Sequence, residues 1–119
     1  MGRDPLFVHP VSLSQAWNDP ETNLGRIDAL IVERLARGPE LASESQLFVF
    51  PELSLTGFVT KDPAGYSIAP AHPFVRRLQA IARERRAGLL VGLPEANAAD
   101  SKRPFNSVVL IAPDGGVAG

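Results

Sequence analysis

Cysteine is absent from all 119 residues. Disulfide bonds, thiolate metal sites and cysteine nucleophiles are therefore excluded for this chain. The N-terminus, MGRDPLFVHP, also lacks the long apolar segment of a signal peptide. Because nothing in the sequence indicates secretion, we expect a cytoplasmic location.

An excess of charge of either sign is missing as well. Twelve basic and thirteen acidic residues give a net charge of −1, so there is no electrostatic reason to expect nucleic acid or an anionic membrane as a partner. No apolar run approaches the ~18 residues that a membrane span needs. The apolar fraction of 45% is ordinary for a folded globular domain. We expect one small domain, or part of a larger one.

Two segments have the periodicity of amphipathic helices. The first, NDPETNLGRIDALIVERLARGP, has an N-cap residue in Asp19, a proline at the first helical position and a Gly38-Pro39 stop. Its apolar stripe consists of Leu24, Ile27, Leu30, Ile31 and Leu35. A second helix is predicted from Pro73 to Ala87, with Gly88 at its exit.

Four segments are typical of strands: Leu6 to Leu13 (weakened by Pro10), Leu47 to Phe50, Gly88 to Pro94, and the run that begins FNSVVLI. A Pro-Asp-Gly-Gly turn and the opening of a return strand follow the last of them. The order strand, helix, strand, helix, strand, strand predicts an α/β domain whose helices cover a mostly buried sheet. The return strand has barely begun at Gly119, so we expect the sequence to be cut.

The stretch LFVFPELSLTGF places a carboxylate directly after a buried strand. In α/β sheets, ligands bind beyond the carboxyl ends of the strands, and Glu52 follows such an end. Apolar neighbours raise the pKa of a carboxylate, which suits a general base. On position alone, we favour the interpretation that Glu52 caps a helix or faces water, since many strands end in an acidic loop.

Four strings, in order, carry a resemblance to the nitrilase superfamily, the carbon–nitrogen hydrolases: NLGRIDALI, FPELSLTGF, GLLVGLPE and FNSVVLIAPDGGVAG. The resemblance covers nearly the whole chain and identifies residues 1–119 as the N-terminal part of a single domain of this family. It implies an α-β-β-α sandwich, here incomplete. It also implies hydrolysis of non-peptide C–N bonds in small amides or nitriles, without a cofactor or metal; we expect the complete protein to be a homo-oligomer.

The chemistry implied by the resemblance uses a glutamate, a lysine and a cysteine. The thiolate attacks the amide or nitrile carbon, the glutamate transfers protons, and the lysine stabilises the developing charge. Only the glutamate carries over, as Glu52, the general base. Lys61 and Lys102 lie in polar segments before the point where the family's lysine is found, and we interpret both as surface residues. Phe58 is a candidate substrate-binding residue.

Other interpretations of the sequence are weaker. His9 and His72 have no partner at metal-ligand spacing, and we interpret His72 as a helix-entry residue. Ser54 lies in ELSLTG, which lacks the Gly-x-Ser-x-Gly pattern of a serine nucleophile. The arginines near residue 85 indicate a solvated helix end rather than a basic binding patch. A non-catalytic α/β module that binds a partner or ligand through the same pocket stays open as an alternative to a hydrolase.

Overall fold

The computed structural model describes residues 6–12, 19–38, 45–51, 68, 72–100 and 102–119. Their secondary structure runs in the predicted order. The elements are β1 (Leu6–Pro10), α1 (Pro20–Arg37), β2 (Ser45–Val49), α2 (Pro73–Arg85), β3 (Gly88–Glu95) and β4 (Phe105–Ile111). The α/β fold class is confirmed. No helix among these residues is long and apolar enough to cross a membrane.

The four strands form one sheet in the order β1-β2-β3-β4. Strands β1, β2 and β3 are parallel, and β4 runs antiparallel to β3. Each parallel connection includes one of the two helices that the structure describes, and such crossovers are almost always right-handed. Because the sheet grows in one direction from β1 to β3, this handedness places α1 and α2 on the same face.

The face under the helices holds the hydrophobic core. Phe48, Leu89, Val91 and Ile111 point to this face and are fully buried. The helices contribute the buried side chains Leu24, Ile27, Ile31, Val75, Leu78 and Ala82. Burying a side chain of this size contributes roughly 1.5–3 kcal/mol. The predicted stripe of α1 therefore faces the sheet, as its spacing indicated.

The opposite face of the sheet carries aliphatic side chains that remain partly or largely exposed. We call this the open face; its aliphatic residues are Leu6, Val8, Leu47, Val49, Leu90, Val108 and Leu110. Val8 and Val108 are 53% and 55% exposed. One helix layer and one sheet make up half of an α-β-β-α sandwich, and the open face is the side on which a second sheet packs in that architecture.

Both helices begin as the sequence predicts. The Asp19 carboxylate accepts hydrogen bonds from the Thr22 hydroxyl at 2.6 Å and the Thr22 backbone N–H at 3.1 Å. These bonds, the hydroxyl bond first, hold the pKa of Asp19 below its ordinary value. At α2, His72 is the N-cap, and its Nδ1 accepts from the Phe74 N–H at 3.1 Å. The helix-entry role of His72 is confirmed.

The end of α2 differs from the prediction. The helix stops at Arg85, and Arg86, with a φ of 54°, takes the left-handed position that Gly88 was expected to serve. Gly88 is instead the first residue of β3, where an added Cβ would lie 3.2 Å from Leu47 Cδ1. The glycine allows close packing between strands, and the left-handed residue that ends the helix lies two positions earlier, at Arg86.

The arginines at this end of α2 are only partly a solvated cluster. Arg85 makes a bidentate pair with Asp28 of α1, with Nε to Oδ1 at 2.9 Å and Nη2 to Oδ2 at 3.1 Å. The bonds to Asp28 raise the pKa of Arg85. This pair links the two helices across the surface of the helix layer.

The predicted hairpin after β4 is present. Gly115 N–H donates to the Ala112 carbonyl at 2.8 Å, and Ala112 N–H donates to the Gly116 carbonyl at 2.8 Å. Gly115 has a φ of 91°, which favours glycine. The return segment pairs with β4 through an Ile111–Val117 bridge. Its turn rests on α2, where Gln79 Nε2 donates to the Gly115 carbonyl at 2.9 Å.

Candidate active site

The carboxyl ends of β1, β2 and β3 lie at one edge of the sheet because these strands are parallel. Strand β4 is antiparallel and begins at the same edge, where Phe105 pairs with Glu95. In sheets of this kind, ligands bind beyond the carboxyl ends of the strands. This edge is therefore where a site is expected.

Glu52 and Phe58 lie outside the described residues, and so does Lys61. The described residues on either side of this segment are both hydrogen-bonded to β3. Phe50 N–H donates to the Leu90 carbonyl at 2.9 Å. Ile68 N–H donates to the Pro94 carbonyl at 2.7 Å, and the Ile68 carbonyl accepts from the Ala96 N–H at 2.9 Å. Both flanks of the segment that contains Glu52 are thus hydrogen-bonded to β3 or to the residue after it, Phe50 at the third residue of the strand and Ile68 at its carboxyl end.

Two polar side chains meet at this edge. Glu95 is the last residue of β3, and its Oε1 accepts a hydrogen bond from the Ser107 hydroxyl of β4 at 2.9 Å. Ser107 pairs with Leu93 in the antiparallel register, so it lies on the same face of the sheet as Glu95. This is the face that the helices cover. The pair is half-buried rather than solvated.

A cavity of about 360 Å³ adjoins this pair. Glu95 and Ser107 line it, and its other side chains are apolar. They include Ile68, Val75 and Leu93, each no more than 4% exposed. A cavity of this volume, apolar with a few polar groups, has the character of a small-molecule site.

Glu95 ends the string GLLVGLPE, but no role for this residue was predicted from the sequence. A signal was nevertheless present. Glu95 follows an apolar residue and a proline in LPE, just as Glu52 does in FPE. The two strings stand at the ends of adjacent parallel strands, β2 and β3. The tertiary structure is needed to see that Glu95 shares its edge with Ser107.

The remaining candidates do not converge on this edge. His9 stacks on Phe48 with ring centroids 4.4 Å apart, and its Nε2 lies 2.6 Å from Gln46 Oε1. His72 caps α2. Lys102 is exposed in the loop before β4. In the part of the chain that the structure describes, no three acidic or histidine side chains are grouped to hold a metal ion.

A family model decides the classification of the chain. The model for carbon–nitrogen hydrolases matches residues 10–119. The chain belongs to this family. The resemblance found in the sequence strings is thereby confirmed.

Solved structures of the family share the fold. Nit3 of Saccharomyces cerevisiae, a nitrilase superfamily member, matches 94% of this chain with a TM-score of 0.78 and 23% identity. An amidase from Nesterenkonia sp. matches 100% of the chain with a TM-score of 0.74 and 22% identity. A CN-hydrolase superfamily protein from Xanthomonas campestris, with an arsenic adduct in its active site, matches 92% with a TM-score of 0.72 and 23% identity.

This carbon–nitrogen hydrolase chain spans about two fifths of those proteins. The matched regions cover 41%, 43% and 37% of the yeast, Nesterenkonia and Xanthomonas chains. No curated protein matches the sequence. At these identities the structural matches establish the fold, which agrees with half of a nitrilase-type sandwich.

Proposed function

We propose that the chain is the glutamate-bearing part of an enzyme that hydrolyses non-peptide C–N bonds of small amides or nitriles. The observation that carries this proposal is the family match over residues 10–119, which includes the FPE string and its glutamate. The parallel β2 and β3 support it, because Glu52 follows the carboxyl end of β2 in the sequence and Ile68, beyond the Glu52 segment, is hydrogen-bonded at the carboxyl end of β3.

In the proposed mechanism, Glu52 is the general base. It accepts the proton of a cysteine thiol as the thiolate attacks the amide or nitrile carbon. Glu52 then returns this proton to the substrate nitrogen: an amide loses ammonia or an amine and leaves a thioester, whereas a nitrile becomes a thioimidate that loses ammonia only after water adds. Glu52 later activates the water that attacks either intermediate. A lysine ammonium stabilises the charge that develops on the tetrahedral intermediate. Phe58 would contribute an apolar wall for the substrate.

The 119 residues contain no cysteine, so the nucleophile of this mechanism must come from outside them. The 119-residue chain alone should form no thioester and release no ammonia from amides or nitriles. The Nesterenkonia amidase, by contrast, has been captured with acrylamide added to its active-site cysteine. The proposal therefore assigns to this chain a part in catalysis, not an independent activity. A homo-oligomeric, cytoplasmic complete protein stays a prediction.

Glu52→Gln is the direct test, made in a version completed with the lysine- and cysteine-bearing segments of a family member. The amide keeps the shape of the carboxylate but accepts no proton. Turnover should fall by about 10²–10⁴-fold, the usual contribution of a positioned acid or base. Folding should change little.

The matched controls are Glu40→Gln and Glu44→Gln, which change acids of the polar connector before β2 and should leave turnover near its starting value. If Glu52→Gln retained turnover while folded, Glu52 would have a structural role and the proposed mechanism would be wrong.

The absence of cysteine favours one alternative, a degenerate α/β module that binds a ligand or partner without catalysis. The nucleotide sequence after the Gly119 codon separates the two. An open frame that continues to a lysine and then a cysteine supports the hydrolase. A stop codon at that point supports the binding module.

A further inference from the structure

Glu95 is a half-buried carboxylate with an incomplete set of partners among the residues that the structure describes. Its Oε1 accepts from the Ser107 hydroxyl at 2.9 Å. Among those residues, the ion pairs within 4.0 Å are Arg37–Glu33, Arg77–Glu21, Arg85–Asp28 and Arg103–Asp100, and none involves Glu95. A carboxylate accepts up to about four hydrogen bonds, so most of its capacity is available.

The surroundings of this carboxylate make a positively charged partner favourable. Ile68, Val75 and Leu93 line the same cavity and are almost completely buried. A charge among apolar side chains loses hydration, and it recovers the lost free energy best from a cation that also donates hydrogen bonds. Ser107 holds one oxygen in place, which leaves the second oxygen to receive a ligand.

We propose that this cavity binds a small molecule with an aliphatic body and an ammonium group, and that Glu95 is the anchor for the ammonium. The volume of about 360 Å³ lies within the range of small-molecule sites. The aliphatic body contacts Val75, Leu93 and Val109. Val117 and Val108, whose side chain lies on the open face, also line the cavity, and both are more than half exposed.

Binding at Glu95 does not depend on hydrolysis. If the chain serves a hydrolase, the site selects amides or nitriles that carry an amine, and this extension rests on the proposed function. The two ideas fail separately. Loss of ammonium binding would overturn the present inference, whereas a Glu52→Gln enzyme with full turnover would overturn the proposed mechanism.

The test uses the 119-residue chain and two probes of equal length, n-butylammonium and 1-butanol. Affinities come from ligand-observed NMR titrations at pH 7, which detect weak binding. The chain should prefer the ammonium by about tenfold, since only the ammonium adds a charge–charge attraction to its hydrogen bond with the carboxylate. Comparison with the alcohol separates the charge from general apolar binding.

Glu95→Gln should abolish the preference for the ammonium and leave the affinity for butanol unchanged. Glu84→Gln, which removes an acid from the exposed side of α2, is the matched control and should keep the preference. Equal affinity of the original chain for the two probes, or a preference that survives Glu95→Gln, would overturn the proposal.

A second variant covers the case in which Glu95→Gln disturbs folding, as judged by circular dichroism. Ser107→Ala keeps the charge and removes the hydroxyl that positions it. The ammonium preference should then fall about threefold, because the carboxylate loses its fixed orientation. An unchanged preference in a folded Ser107→Ala chain would count against the site.

Discussion

The open face should make the isolated chain associate with itself and bind hydrophobic dyes. Four strands about 4.8 Å apart, paired over about five residues on average at 3.3 Å per residue, present roughly 300 Å² in projection. At about 25 cal/mol per Å², covering this face gains about 7 kcal/mol per copy. Association costs about 4–15 kcal/mol, so we expect self-association in the micromolar to millimolar range.

The perturbation is the double variant Val8→Lys/Val108→Lys. Each valine is about half exposed, so covering it contributes roughly 1 kcal/mol to association, and this contribution is lost in the lysine variant. A buried, unpaired ammonium costs more than that. Self-association should therefore weaken at least about 100-fold. Sedimentation velocity over a concentration series measures this change, and dye fluorescence should fall in parallel.

Val32→Lys is the matched control. Val32 is a 42% exposed valine on α1, on the other side of the helix layer from the sheet. The same substitution there should leave association unchanged. A wild-type chain that stays monomeric, binds no dye and unfolds in one sharp transition would refute the reasoning, as would an equal effect of Val32→Lys.

The other predictions are measured by urea unfolding in the double-lysine background. Gly115→Ala should destabilise the chain by about 2 kcal/mol, because the residue has a φ of 91° and its Cβ would lie 3.0 Å from a backbone oxygen of α2. Gly25→Ala, whose Cβ would have no neighbouring atom within 4 Å, should stabilise the chain by about 0.5–1 kcal/mol. A stabilising Gly115→Ala together with a destabilising Gly25→Ala would contradict the structure. Asp28→Asn should cost no more than about 1 kcal/mol, since the side chains of this residue and Arg85 are 33% and 36% exposed and solvent screens the pair; a larger loss would show a stronger link between the helices. The pKa of Asp19 is lowered in the folded state, so the stability that its carboxylate contributes should be present above the ordinary pKa of 3.8 and be lost as the pH falls through the folded-state pKa. An Asp19→Asn variant whose free energy of unfolding has the same dependence on acidic pH would argue against this cap.

Local patterns were sufficient for the elements of the fold. The order of strands and helices, the Asp19 cap and the turn with Gly115 follow from capping, periodicity and turn chemistry, which act over a few residues. The end of α2 did not follow. Glycine at position 88 is equally suited to a helix cap and to a tightly packed strand, and only the contact with Leu47 in β2 distinguishes the two uses.

The sequence by itself also determined the family and pointed to Glu52, because the strings that carry the family resemblance can be recognised without coordinates. Only the tertiary structure decided which side chains distant in sequence lie in contact. Glu95 and Ser107 are twelve positions apart and meet only through the antiparallel register of β3 and β4. The open face likewise depends on both crossovers placing their helices on one side. Such pairings depend on how distant strands align, and local sequence does not encode that alignment.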